Sequence, residues 1–196
     1  MVLSGHPDKA YSRYVCRGIR EGFRIGYRRN SALKPAQANM RSAIEHPDII
    51  TEYLDKECRL GRMLGPFTPA THLPQLQINR FGVIPKGYNT GKYRLITDLS
   101  FPPGRSVNDG IDPDICSLEY TTVDEVAACA ASLGTGALLA KVDIESAYRL
   151  VPVHPQDRIL QGMQWEGMIY VDPMLPFGLR SAPKIFNAVA EALYWH

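Results

Sequence analysis

Apolar and polar residues near the start of the chain recur at the helical period. On a helical wheel from Asp8, residues Tyr11, Tyr14, Val15, Gly18 and Ile19 share one face, and Lys9, Arg13, Arg17 and Arg20 share the opposite one. His6-Pro7-Asp8 supplies the start of that helix, with proline at or near the first helical position and an acid in the first turn. Gly22, Gly26 and Asn30-Ser31 end it. The same triplet returns at His46-Pro47-Asp48 and opens a second helix from about Asp48 to Met63, with Ile49, Ile50, Tyr53, Leu54 and Leu60 as its apolar positions. Capping accounts for both histidines, with metal ligation as the alternative. From Gly65 to Pro74 the style changes, because Pro66, Pro69 and Pro74 exclude a regular helix. The chain therefore divides into a helical, basic N-terminal extension, residues 1–64, and a domain of residues 65–196.

Beyond that boundary the period shortens. Ile78 to Ile84 and Tyr93 to Leu99 read as two strands of a hairpin around the polar turn Lys86 to Gly91, which contains Asn89-Thr90-Gly91. Phe101 to Cys116 is a loop with Pro102-Pro103-Gly104 as its turn signal. Thr122-Val123-Asp124-Glu125 matches a capping box and opens a helix with Val123, Val126, Ala127, Ala130 and Leu133 on one face, stopped by Gly134-Thr135-Gly136. The run Leu138-Leu139-Ala140-Lys141-Val142-Asp143-Ile144 reads as a buried strand that delivers a carboxylate, Asp143, where the chain leaves the core. His154-Pro155-Gln156-Asp157 starts a further turn or helix, and a short hairpin pairs Met163-Gln164-Trp165 with Met168 to Val171 around Glu166-Gly167. A closing helix from about Ala182 groups Ile185, Phe186, Val189 and Leu193. The sum is an α+β architecture: a small antiparallel sheet backed by the helices near Thr122 and Ala182, with a projecting hairpin.

Composition narrows the class. At 196 residues, 45% hydrophobic and 21% charged, the chain can bury a sizeable core and is neither disordered nor fibrous in character. No apolar run approaches the roughly 20 residues needed to cross a bilayer, and Met1 begins no secretory leader, so an intracellular protein is expected, in cytoplasm or nucleus. Cys16, Cys58, Cys116 and Cys129 are isolated and read as reduced thiols. The net charge of +2 hides an asymmetry: residues 1–62 carry 12 Lys/Arg against 7 Asp/Glu, whereas residues 63–196 carry 10 against 13. Only the first part suits a phosphate backbone, through Arg13, Arg17 and Arg20, helped by Arg24, Arg28 and Arg29.

The chemistry centres on Asp143. A carboxylate at the end of a buried strand needs a metal ion or a basic partner, since burying it unpaired costs several kcal/mol or forces it neutral. Val142-Asp143-Ile144-Glu145-Ser146-Ala147-Tyr148 and Leu175-Pro176-Phe177-Gly178-Leu179-Arg180-Ser181-Ala182-Pro183, with Lys92-Tyr93-Arg94-Leu95-Ile96-Thr97-Asp98 upstream, follow one another in an order that resembles reverse transcriptases. The resemblance covers the fingers and the first part of the palm, from about Pro66 to His196. The N-terminal part, with Gly22-Phe23-Arg24-Ile25-Gly26-Tyr27 and Leu60-Gly61-Arg62 before Gly65-Pro66-Phe67, is similar to the lead-in of DIRS-like retrotransposon polymerases.

This resemblance implies RNA-directed DNA polymerisation: addition of deoxynucleotides to a primer on an RNA or DNA template by two magnesium ions about 3.5–4 Å apart. It makes Asp143 the first catalytic aspartate and a metal ligand, with the Ile144 carbonyl as a further ligand. Tyr148, five positions on, would lie beneath the incoming sugar and exclude a 2′-hydroxyl. Arg94 and Lys86 would grip the triphosphate, and Phe177 and Gly178 would lie against nucleotide and template, with glycine permitting close approach. Glu145 receives no metal role.

The second carboxylate motif of the family, a Tyr-x-Asp-Asp type turn, should follow Phe177-Gly178 by a few dozen residues, yet after Gly178 the only acid is Glu191. The expectation is a fragment, inactive alone, whose parent would bind template-primer, dNTP and other regions of a retroelement polyprotein, and whose sheet would carry an exposed edge. Two other readings stay open: a non-catalytic nucleic-acid-binding module using the basic helix and hairpin, and a hydrolase using Asp143 and Glu145 as an acid/base pair.

Overall fold

A computed structural model of the chain describes residues 3, 5–28, 38–68, 76–87 and 91–195. Arg29, Asn30, Ser31, Pro69, Pro74 and the Asn89-Thr90 part of the hairpin turn lie outside the described residues.

The first helix, α1 (Lys9–Glu21), starts later than expected: Pro7 precedes it and Asp8 is its cap, not a first-turn acid. Asp8 caps it, the carboxylate accepting the backbone N–H groups of Ala10 and Tyr11 at 2.9 Å each, and Gly22 closes it at φ +91°. Val15 and Gly18 are buried, and the Tyr11 hydroxyl donates to the Ala188 carbonyl at 2.7 Å, which ties α1 to the last helix. Ile19, read as part of the apolar face, is exposed. A short helix, α2 (Arg41–Glu45), precedes α3 (Pro47–Arg59), where Pro47 occupies the first turn as expected.

The sheet has five strands: β1 (Leu64–Phe67), β2 (Ile78–Pro85), β3 (Tyr93–Asp98), β4 (Gly162–Trp165) and β5 (Met168–Val171), in the order β1-β5-β4-β2-β3. The two hairpins fall where alternation placed them. β2 and β3 pair antiparallel from Arg80 opposite Asp98 to Pro85 opposite Tyr93, and β4 pairs β5 around Glu166 and Gly167, both at positive φ as a tight two-residue turn requires. The fold is mixed α+β, as expected.

Three local expectations need correction. The sheet is not wholly antiparallel, because β2 and β4 run parallel through Ile78–Gly162 and Asn79–Met163, with β3 and the long segment 99–161 between them in the chain. Leu64–Phe67, all but Leu64 of which was read as the start of a proline-rich connector, forms an edge strand on β5, a place where proline is tolerated because no ladder partner lies on its far side.

The third correction is the largest. The run Leu138–Ile144 is not a strand and is not buried: Leu138 is 94% exposed and Val142 87%. The capping box does form, and α4 (Val123–Ser132) follows it, but α4 backs no sheet; Val123 is 84% exposed and no residue of the helix is buried. Strand preference is a preference for a pleated surface with neighbours. Among the described residues nothing pairs with the backbone of 138–144, so its apolar side chains remain in water.

Among the described residues two large buried clusters hold the rest together, beside a small one of Leu3, Val15 and Ala192. One joins Phe23 and Ile25 to Leu99, Val107, Ile111, Val151, Val153, Leu160, Leu175, Leu179 and Ile185. The other packs Ala43, Ile50, Leu54 and Met63 against Phe81, Val83, Met163 and Trp165 on the sheet. Both draw residues from either side of Leu64. They are linked by a buried ion network: Arg149 donates to Glu57 of α3 at 3.1 Å, to Asp172 after β5 and to the Arg62 carbonyl at 2.7 Å, while Arg62 also donates to Glu57 at 2.7 Å. Burial pushes the Asp172 carboxyl up to about 6, against the opposing pull of Arg149, and pushes the nearby Tyr53 phenol up to about 12.

Candidate functional site

The Phe177-Gly178 turn leads into α5 (Ala182–Tyr194) and is held from two directions. Buried Asn108, in the loop after β3, donates from its side-chain amide to the Gly178 carbonyl at 2.8 Å and accepts the Arg180 backbone N–H at 2.8 Å. The Arg180 guanidinium donates to the Asn108 and Ile111 carbonyls at 2.7 and 2.8 Å. Gly178 has φ +88°, and a Cβ there would stand 3.2 Å from the Thr97 carbonyl of β3. Glycine thus lets the turn lie against the base of the β2–β3 hairpin. Sequence reading missed Asn108: a single amide in an irregular loop carries no local signal, and its partner lies 70 residues away.

Phe177 is 47% exposed, and its ring sits 5.1 Å from that of Tyr148, which also meets Phe186 edge-on at 5.5 Å. Desolvation raises the Tyr148 phenol, so the ring stays neutral near pH 7. Tyr148 lies in a 3₁₀ turn, Ala147–Leu150, anchored by Arg149 in the ion network. Phe177, Gly178 and Tyr148 are therefore brought together beside the base of the hairpin.

Arg94 lies on β3 opposite Ile84, exposed toward the hairpin tip, and the Lys86 N–H donates to the Lys92 carbonyl at 2.7 Å to close the ladder. At the hairpin's base, Arg80 pairs with Asp98 at 2.8 Å and lies 3.5 Å over the Phe101 ring. The expected acids are in a different setting. Asp143 and Glu145 are exposed and Ile144 is half-buried, in an irregular stretch between α4 and the Tyr148 turn.

Among the described residues no group of three or more His, Cys, Asp and Glu side chains is placed to hold a metal ion. Asp143 is a lone solvated carboxylate, and the donors present do not make the oxygen-rich cage that magnesium requires. The residues described therefore do not fit the implied two-ion centre.

The basic residues of α1 separate into two grooves. Arg13 and Arg17 lie on the ridge between them; Tyr14, Arg24 and His154 line one side, and Arg20 with Leu3 and Cys16 lines the other. Arg17 pairs with Glu21 at 2.8 Å, and Arg24 with Asp157 at 2.8 Å. Arg28 pairs with Asp112 at 3.3 Å. No described helix is long and apolar enough to cross a membrane.

No family model and no curated protein matches the sequence. Solved structures do match the fold. The foamy viral protease-reverse transcriptase in complex with RNA/DNA hybrid superposes with a TM-score of 0.59 and 17% identity over 88% of this chain and 21% of that one. The same viral enzyme in complex with dsDNA gives 0.54 and 15%, over 100% of this chain and 40% of that one, and native Prototype Foamy Virus protease-reverse transcriptase gives 0.54 and 18% over 86% and 20%. This chain thus spans between about a fifth and two fifths of the length of those chains. At such identity the likeness is one of fold: the chain has a reverse-transcriptase-like α+β fold.

Proposed function

We propose that the chain is the fingers and palm-entry part of a retrotransposon reverse transcriptase of DIRS-like type, which binds template-primer and deoxynucleoside triphosphate in its parent enzyme. The observation that carries the reading is the meeting of three separated motifs: Gly178 against Thr97 of the hairpin, Asn108 clamping that turn, and the Tyr148 ring tilted against Phe177. In this reading Arg94 and Lys86 hold triphosphate oxygens, the exposed Phe177 and the Gly178 backbone face base and template, and the rigid Tyr148 ring occupies the space a 2′-hydroxyl would need. Magnesium belongs to the parent's chemistry, with Asp143 and the Ile144 carbonyl as the share of ligands this segment would contribute. Its own carboxylates are too few, so the chain alone does not extend a primer.

The test is binding of labelled primer-template and dNTP to the chain, followed by primer extension. The expected result is binding, weakened by Arg94→Ala, with ribonucleotide better tolerated in Tyr148→Ala and no extension. Indifference of dNTP binding to Arg94 would contradict the reading. A second reading, a nucleic-acid-binding module without catalysis, is favoured by the basic ridge of α1. Duplex binding lost with Arg13→Ala and Arg17→Ala but unaffected by Arg94→Ala, with no dNTP binding, would select it.

A further inference from the structure

An open cleft of about 680 Å³ lies between α1 and two segments that pass beneath it, Gly22–Arg24 and His154–Gln156. Its polar lining sets Arg13, Arg17, Arg24, His154 and Gln156 around one aromatic plate. Tyr14 is 45% exposed, and the edge of Phe23 supports its ring at 5.4 Å and 70°, which fixes the ring plane. Burial raises the Tyr14 phenol, so it remains neutral near pH 7.

Arg24 is held in place by Asp157, which accepts from Nε at 2.8 Å and Nη2 at 2.9 Å, and by Gln156, which accepts from Nη1 at 3.2 Å. Three of its five N–H groups are committed in this way, and the two others remain on a side chain that is 58% exposed. The Gln156 N–H donates to Nδ1 of His154 at 3.3 Å, which holds the ring at the cleft wall. Arg13 has no ion-pair partner at bonding distance among the described residues, and Arg17 holds only the exposed Glu21. The acid under Arg24, Asp157, is buried and engaged, leaving the cleft's exposed lining positive.

We infer that this cleft binds one nucleotide of a single-stranded polynucleotide, its base stacked on Tyr14 and the flanking phosphates on Arg13, Arg17 and Arg24. A duplex keeps its bases stacked inside and could offer this plate only phosphates; a single strand offers both a π-face and a charge. The proposal draws on the preceding reading only in taking the ligand to be a polynucleotide. It assigns roles to Tyr14 and Arg24 and removes Arg20, which lines the opposite groove.

The experiment is fluorescence anisotropy of a labelled short oligothymidylate titrated with the full chain at low salt. An abasic oligomer of equal length, inorganic phosphate and a phosphoserine peptide serve as competitors. The expected result is that Tyr14→Ala weakens binding about 10-fold while Tyr14→Phe retains it. Arg13→Ala lowers the salt slope by about 1, and Arg20→Ala changes little. Circular dichroism confirms that each variant is folded. Equal binding of the abasic oligomer, indifference to Tyr14→Ala in a folded variant, or competition by the phosphopeptide as strong as by the oligomer would overturn the inference. Failure of the oligomer to bind while dNTP binding stays sensitive to Arg94→Ala would overturn this cleft and leave the polymerase reading standing.

Discussion

Two apolar segments of this chain meet opposite fates. Residues 147–175 carry Val151, Val153, Leu160, Met163 and Leu175 into the two cores and anchor Arg149 between Glu57 and Asp172, so that side chains from α3, the Tyr148 turn and the end of β5 are fixed together. Residues 119–143 have a capped helix, a glycine stop and a Leu/Val-rich run, and all but Ala130 are exposed. Local signals are equally good in both. What differs is whether a second surface is present to receive the apolar face, since burial and ladder pairing, not propensity, supply most of the stabilisation.

That contrast can be broken most forcefully at Arg149. Removing it leaves the carboxylates of Glu57 and Asp172 buried without their shared cation, so Arg149→Ala should lower unfolding free energy by about 3–5 kcal/mol in urea denaturation. A loss below about 1 kcal/mol would mean that the network does not join the two cores. A pair of truncations sharpens the comparison directly. Leu175→Ala, at a fully buried site, should cost about 2–5 kcal/mol, and Leu138→Ala, at a site 94% exposed, should stay within about 0.5 kcal/mol. Equal costs would place both residues in one core.

A smaller effect follows from Asp172. Its carboxyl titrates near 6 in the folded chain because burial outweighs the help of Arg149, whereas in the unfolded chain it titrates near 4. Between those values the folded form holds a proton that the unfolded form does not, so this group's contribution to stability grows as pH falls from about 6 to about 4. The Tm difference between the native chain and Asp172→Asn should therefore move in favour of the native chain over that interval. A constant difference, or the opposite slope, would contradict the assignment.

The parts of the fold legible in the sequence are those set by neighbours close in the chain. Thr122 caps the helix it precedes, Pro47 opens α3, and Glu166-Gly167 turns β4 into β5, while Asp8, read as a first-turn acid, is itself the cap of α1. The motifs around Tyr148, Phe177 and Gly178 were readable as a pattern, and the structure brings those three together. What was illegible depends on residues far apart: the parallel β2–β4 pair, the Asn108 clamp 70 residues from Gly178, and the joining of Arg24 to Asp157 across 133 positions. Asp143 illustrates the reverse. Its local pattern is that of a buried strand end, and its setting is solvent, because strand formation needs a partner that the run's own residues do not provide.

Hydrogen exchange on the intact chain, free and with primer-template, tests this account most directly. It predicts that amides of 138–144 exchange at nearly unprotected rates in the free chain while those of 78–85 and 162–171 are protected, and that primer-template slows exchange in the hairpin strands 78–85 and 93–98. Protection of 138–144 in the free chain, or a hairpin whose exchange ignores the nucleic acid, would contradict it.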